Sequence, residues 1–371
     1  MQKKDDEETL YGIALCRVPN IGGAMSRLLV SYCGSAAAVF KTSKTRLLKI
    51  PGVGPVTAEA VLSADNLKEA EAELKFIAKN EIDVLFYYDP KYPQRLQNCA
   101  DAPFVLFAKG IFDFNAKRMI SIIGTRHATA YGRQVTEQLV DELSSYDFTL
   151  VSGLAFGIDV CAHRAALKYN LQNIAVLGHG LDRIYPNQHT YTAVKLQDNG
   201  ALLTDFMSGT KPDRQNFPSR NRIVAGMTDA TIVIESAIQG GALITAEIAN
   251  SYNREVFAFP GKVQDEFSKG CNELIRQHKA QLVTCADDIA KALFWDAQTQ
   301  KNHSQTQTTL FPDLNGDELL IYNFIKQNQK AHVDKIIQGL GLKAGIVAAN
   351  LLQLEMKGMI QSKPGNIFIL A

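Results

Sequence analysis

The clearest pattern along the chain lies between residues 117 and 294. Short apolar runs at 119–123, 148–151, 174–177, 201–203, 231–234, 256–258 and 281–283 show little alternation with polar residues, and amphipathic stretches separate most of them. Such runs predict strands covered on both faces, because a half-exposed strand alternates. Repeated strand–helix–strand units then predict an α/β fold: a Rossmann-like, doubly wound, mostly parallel sheet.

The flanks read differently. Residues 1–65 read as a helical domain punctuated by glycine. Within it, 18–29 resembles 50–62, each setting glycines (Gly22 and Gly23, then Gly52 and Gly54) in a tight turn before a helical run. Such a turn leaves N–H groups open at a helix start, which suits a phosphate. The arrangement looks like a helix-hairpin-helix or SAM-like pair. A purely structural helical domain is the plainer alternative, since these helices carry few basic side chains beyond Arg27, Lys44 and Arg46. Residues 66–116 read as a connector ending in a short strand at 102–110. The stretch 298–309 contains no apolar residue and cannot bury a core, so 295–315 reads as a flexible linker. Residues 316–371 predict helices at 319–325, 333–339 and 344–356, then a hairpin turning at Pro364, Gly365 and Asn366. That is the make-up of a winged helix.

In an open parallel sheet, ligands bind beyond the carboxyl ends of the strands. The loops there are the candidate site. After the first strand of the 117–294 domain, Gly124 permits a sharp turn, Thr125 offers a hydroxyl, and Arg126 offers a planar fork for phosphate oxygens. After the second, Ser152 and Gly153 suit a phosphate. Asp159 and His163 follow four residues apart on one helix face; an acid–base pair is conceivable there, but such a pair more often orients a loop. After the third, His179 sits between two glycines and reads as a loop residue. Lys211 opens the segment 211–222, in which Ser219 reads as a helix N-cap. That places Arg220, Asn221 and Arg222 in the first turn, where cations oppose the helix dipole by ~0.3–1 kcal/mol each. A bound anion would remove the conflict. Phe217 beside them completes the composition of a site that stacks bases and clamps phosphates. After the fifth strand, Gly240 and Gly241 open a helix and make a phosphate cradle. One Gly-Gly pair is weak, but these loops converge on one edge of one sheet.

Composition narrows the picture. The chain has 371 residues, 46% of them hydrophobic, enough for more than one core. No run approaches the ~20 apolar residues of a bilayer span, and the charged N-terminus leads into no signal core. The expected location is cytoplasmic, with no membrane partner. Six scattered cysteines without a C-x-x-C pair argue against zinc and a disulfide framework; no metal or cofactor is expected. A net charge of +1 means that any nucleic-acid site must be a local cluster.

Taken together, Gly124-Thr-Arg126, the 152–163 segment, 180–186, 217–223, 241–246 and Phe259-Pro-Gly261 resemble the bacterial DNA-processing family DprA, also called Smf. The resemblance covers nearly the whole chain. It implies a dimeric protein without catalytic residues that binds single-stranded DNA entering the cell in natural transformation, protects it, and helps load the RecA recombinase. Carried over by motif, the DNA contacts are Gly124, Thr125, Arg126, Phe217, Arg220, Arg222, Gly240 and Gly241, with Lys211 added. Ser152, Gly153 and Asn221 join them by loop position. Many relatives have Gly-Ser-Gly-Ser where this chain has Gln239-Gly-Gly-Ala242, so a serine donor is absent and backbone N–H groups must serve. The rival reading is a nucleotide-binding or nucleotide-cleaving enzyme of the phosphoribohydrolase type. Its Pro-Gly-Gly-x-Gly-Thr-x-x-Glu motif is broken here: the third glycine is missing, and only one residue separates Thr245 from Glu247. On a helix that shift turns the carboxylate by ~100°.

Overall fold

The computed structural model describes residues 2–63, 65–295, 314–328, 330–357, 359–363 and 366–370. The chain divides into two units, Met1–Gln298 and Thr299–Ala371.

The larger unit is built on nine strands: β1 (Asp83–Phe86), β2 (Val105–Gly110), β3 (Met119–Ile123), β4 (Thr149–Ser152), β5 (Asn173–Val176), β6 (Gly200–Thr204), β7 (Ala230–Val233), β8 (Glu255–Ala258) and β9 (Gln281–Leu282). Their order across the sheet is β1-β2-β6-β5-β4-β3-β7-β8-β9. The seven strands β3 to β9 pair in parallel, while β1 and β2 form an antiparallel edge. The chain therefore moves away from β3 to one side and returns to its other side at β7. This reversal opens a crevice at the strand ends, the place where such sheets bind ligands.

Every residue of β3 to β7 is buried, and successive side chains feed two different cores. Met119 and Ile123 pack with Ile223 and Val224 of the helix Asn216–Gly226 and Ala246 of the helix Gly241–Ser251. Ile120 and Ile122 pack against the opposite layer, made by the helices Ala130–Leu143, Ile158–Lys168 and Ala286–Ala292. Helices on both faces explain why the strands read as unbroken apolar runs.

The segment 66–116 is more than a connector. It contains most of the helix Asp65–Asn80 and both edge strands, and β2 pairs with β6. A four-residue strand such as β1 leaves too short a pattern to separate from a loop. The N-terminal helices share one core with this edge: Ile13, Leu29, Leu47, Val61 and Ile77 pack with Phe86, Phe104, Val105 and Phe107. Gly23 of the first glycine turn serves that packing, because a Cβ on it would collide with the carbonyl oxygen of Ala102.

Trp295, counted with the expected linker, belongs to this unit. Its ring lies 6.0 Å from that of Tyr146 and 6.4 Å from that of Phe148. Residues 296–313, the bulk of that linker, lie outside the described residues.

The smaller unit is the winged helix. Its helices are Gly316–Asn328, Val333–Leu340 and Ala344–Met356, beside a sheet of β10 (Lys330–His332), β11 (Ile360–Lys363) and β12 (Ile367–Leu370) ordered β10-β12-β11. Asn315 and Glu318 cap the first helix reciprocally, each side chain accepting from the other's backbone N–H at 2.8 and 2.9 Å. The three-residue β10 left no periodic signal in the sequence. Pro364 and Gly365 of the expected hairpin turn lie outside the described residues. Among the described residues, no single helix is long and apolar enough to cross a membrane, and no cluster of His, Cys, Asp or Glu is placed to hold a metal.

Candidate nucleic-acid interface

A cavity of about 510 Å³ lies at the carboxyl ends of β3, β4 and β7. The loop Gly124-Thr125-Arg126-His127 forms one wall, and Gly153 and Ala155 the floor. The start of the helix Asn216–Gly226 forms a second wall, and Gln239, Gly240 and Gly241 a third.

Glu235, buried just after β7, locks the first loop in place. Its carbonyl accepts from the Thr125 N–H at 2.7 Å. Its carboxylate accepts from the Thr129 N–H and hydroxyl at 3.0 and 2.5 Å. The loops on either side of the crevice are thus one hydrogen-bonded piece, and Arg126 projects from it. The Arg126 guanidinium lies 5.1 Å from the centroid of the Phe217 ring, within cation–π range. Tyr185 stacks on Phe217 at 6.1 Å. Gly240 caps the helix Gly241–Ser251 without any side-chain hydrogen bond, and a Cβ on Gly241 would meet nothing within 4 Å. That helix start faces open space with its partial positive charge.

Arg220 behaves differently from the exposed clamp expected of it. It is only 5% exposed. Nη1 donates to the Gly153 carbonyl at 2.6 Å and to the Val176 carbonyl. A Cβ on Gly153 would occupy the space of the guanidinium, so any other residue there displaces Arg220. Burial pulls the Arg220 pKa down to about 10, opposed by the nearby Asp159 carboxylate. Burial likewise raises Asp159, and Arg220 is the largest influence acting against that rise. The pair braces the cavity floor from below, with Arg220 still reaching its wall.

Of the residues expected from sequence, the cavity brings together Gly124, Thr125, Arg126, Gly153, Phe217, Arg220, Asn221, Gly240 and Gly241. Three fall outside its lining. The fully buried Ser152 spends its hydroxyl on the Ile122 carbonyl at 2.7 Å. Lys211 is exposed, and its carbonyl accepts from Asn216 Nδ2 at 3.1 Å. Arg222 pairs with Asp205 at 2.5 Å and donates to the Asp101 and Ser219 carbonyls. The helix starts at Asn216, not after Ser219. Arg220 and Arg222 therefore lie beyond the first turn, and two residues of helix turn them ~200° apart. The expected conflict with the helix dipole does not arise.

The structure adds His127, Arg214 and Phe267 to the cavity lining. His127 and Phe267 stack at 6.3 Å. His127 immediately follows Arg126 and was within reach of the same loop argument. Phe267 follows β8 in an irregular segment that no periodicity marked. Asp159 and His163 do not pair: His163 Nδ1 lies 2.5 Å from Asn173 Oδ1, and burial lowers its pKa to about 4. The buried His179 keeps Nδ1 on the Gly180 carbonyl at 2.9 Å. Glu247, the carboxylate the enzymatic reading needs, is absent from the cavity lining and pairs with Lys279 at 3.3 Å.

Comparison with known proteins bears on the family and the fold. A family model described as DNA recombination-mediator protein A matches residues 83–294. A DprA winged helix domain matches 305–366, and a SAM-like helix-hairpin-helix tandem matches 13–69. The chain is 31% identical to Protein Smf of Synechocystis, across 97% of this chain and 98% of that protein. It is 40% identical to the DNA processing protein DprA of Bacillus subtilis, across 55% of this chain and 68% of that one. The structure of DprA from Streptococcus pneumoniae aligns with a TM-score of 0.67 at 30% identity, covering 77% of this chain and 97% of that one. A Helicobacter pylori DNA processing protein A structure, described for its single-stranded DNA binding mode, aligns with a TM-score of 0.53 at 26% identity, covering 59% and 98%. The chain belongs to the DprA family of DNA-processing proteins, also called Smf.

Proposed function

We propose that this protein binds single-stranded DNA in the cavity at the ends of β3, β4 and β7, and that it acts without catalysis. The observation that carries the reading is Arg126 poised over Phe217, opposite the uncapped helix start at Gly240 and Gly241. A cation, an aromatic face and a helix N-terminus around one cavity suit a phosphate and the base attached to it. The family resemblance supports the wider role: a homodimer formed through the α/β unit, in the cytoplasm, that protects incoming DNA in natural transformation and helps load RecA.

Fluorescence anisotropy with a labelled oligonucleotide across a salt series tests the cavity. Phosphate contacts release counterions and stacking releases few. Arg126→Ala should weaken binding and flatten the log–log salt dependence by ~0.7. Phe217→Ala should weaken binding by ~1–3 kcal/mol with the slope nearly unchanged. If both variants stay folded and bind as tightly as the parent at every salt concentration, the DNA lies elsewhere. Light scattering at micromolar concentration tests the dimer, and a monomer would refute it.

A further inference from the structure

Beyond the cavity, aromatic side chains continue along one rim. Tyr185, stacked on Phe217, is 44% exposed. Phe156, next to the cavity residue Ala155, is 39% exposed and meets His189 edge-on at 4.9 Å. Six residues after Tyr185 comes Tyr191, 75% exposed. The intervening chain is largely helical, so the two lie roughly 10 Å apart along it. Exposing this much aromatic surface in sequence along an edge has no packing benefit, but every base has a π-face to lay on it.

Tyr191 stands at a second cleft of about 470 Å³, between the helices Ile158–Lys168 and Thr190–Leu196. Arg164, Lys168 and Lys195 line it, and all three are exposed. Arg164 touches Thr192 Oγ1 at 3.5 Å. The acidic side chain among the lining residues is Asp198, 3.5 Å from Lys195 and itself exposed. An exposed pair of that kind is held weakly, so the cleft keeps a net positive field. The helix Ile158–Lys168 starts at the cavity floor and leads into this cleft, about 14 Å along its axis from Asp159 to Lys168.

We infer that a single strand leaving the cavity past Tyr185 and Phe156 lies over Tyr191 and enters this cleft, where Arg164, Lys168 and Lys195 hold its phosphates. The inference rests on the cavity reading above. It makes affinity depend on length: a strand of about three nucleotides, ~10 Å at 3.4 Å each, stays in the cavity, and one of about fifteen, inside the ~4–16 nucleotides that comparable single-strand sites cover, also reaches the cleft.

Labelled oligo-dT of about 3 and about 15 nucleotides, titrated against the full chain, tests it. The triple variant Arg164→Ala/Lys168→Ala/Lys195→Ala should bind the short probe like the parent. It should lose about tenfold or more on the long probe, with the long-probe salt slope reduced by ~2, three contacts at ~0.7 each. Tyr191→Ala should weaken the long probe alone and leave its slope unchanged. The path is overturned if the triple variant matches the parent on the long probe, or if the parent shows no length dependence. The cavity reading fails separately, and takes the path's origin with it, if Phe217→Ala binds the short probe like the parent.

Discussion

Arg220→Ala should cost stability first and DNA affinity only as a consequence. The substitution empties a buried site and leaves the Gly153 and Val176 carbonyls without their donor. It also strips Asp159 of its main countercharge. Removing one partner of a buried ion pair in contact typically costs ~3–5 kcal/mol, and Arg220 acts on Asp159 through its field alone. Asp159 keeps the Gly153 N–H at 3.1 Å, the Ala155 N–H, and the more distant field of Arg126, so the lower end, about 3 kcal/mol, is the expected loss. At ~2.1 cal/mol/K per residue, a unit spanning Met1–Gln298 would lose roughly 5 °C in Tm. The deficit should depend on pH, and its sign follows from Asp159. Burial holds its folded pKa above the ordinary 3.8. Ionising it therefore costs stability, and that cost enters as pH rises through the unfolded value. Without Arg220 the folded pKa rises further, so the deficit is larger at neutral pH than near pH 3.8. Calorimetric melts of parent and variant at pH 4 and pH 7 measure this. The double variant Arg220→Met/Asp159→Asn should recover much of the loss, because a neutral filler removes the stranded charge. A variant that melts with the parent at both pH values, yet loses ~0.7 from its DNA salt slope, would show that Arg220 faces the ligand and that the bracing argument is wrong.

Three further outcomes are expected. Arg222→Ala should lose ~1–3 kcal/mol in urea unfolding, because it leaves the half-buried Asp205 carboxylate without its partner, while the DNA salt slope stays that of the parent. His163 is buried with its pKa lowered to about 4 from 6.5. Its neutral form therefore supports the fold fully above pH 6.5, and that support is lost as pH falls through 4; His163→Gln should flatten this part of a melting series. A fragment ending at Trp295 should keep most of the single-strand affinity in anisotropy titrations. In the winged helix, Lys357 is held by Glu318 at 2.8–2.9 Å, and the helix Ala344–Met356 exposes Ile346, Leu352 and Met356. That is a poor match for the cationic face of a groove-reading helix. Loss of most of the affinity on truncation would refute this.

The parallel sheet and its loops were legible because both follow from short-range chemistry. A strand buried on two faces reads as an apolar run, and a chain that turns at its end to meet a helix start needs glycine or a small polar residue there. Gly124, Thr125, Gly153, Gly240 and Gly241 were found on that basis and line one cavity. The arginines were harder, because their roles depend on angular position around a helix whose start was misplaced. Ser219 is a reasonable N-cap only if Pro218 precedes the helix. Proline is equally at home inside a first turn, where its missing N–H has no intrahelical partner to lose. The helix takes that option and begins at Asn216. The shift carries Phe217 to the cavity mouth, turns Arg220 beneath the floor, and sends Arg222 to Asp205 on the far side. The strand at 102–110 is legible and becomes β2, whereas β1 is four residues long and only its pairing with β2 makes it a strand.

The division of labour among the arginines has a physical logic. The Arg220 guanidinium is buried and tied through Nη1 to the Gly153 and Val176 carbonyls, so its position is set by the fold and not by a ligand. A guanidinium on an exposed loop keeps its donors free but would wander on its own. Here Glu235 fixes the loop through Thr125 and Thr129, and Phe217 receives the side chain at 5.1 Å. Arg126 is thereby held in position without its hydrogen-bonding capacity being spent on a carboxylate among the described residues. That combination lowers the ordering cost of binding, and it is why Arg126, and neither Arg220 nor Arg222, should dominate the salt dependence of DNA binding at the cavity.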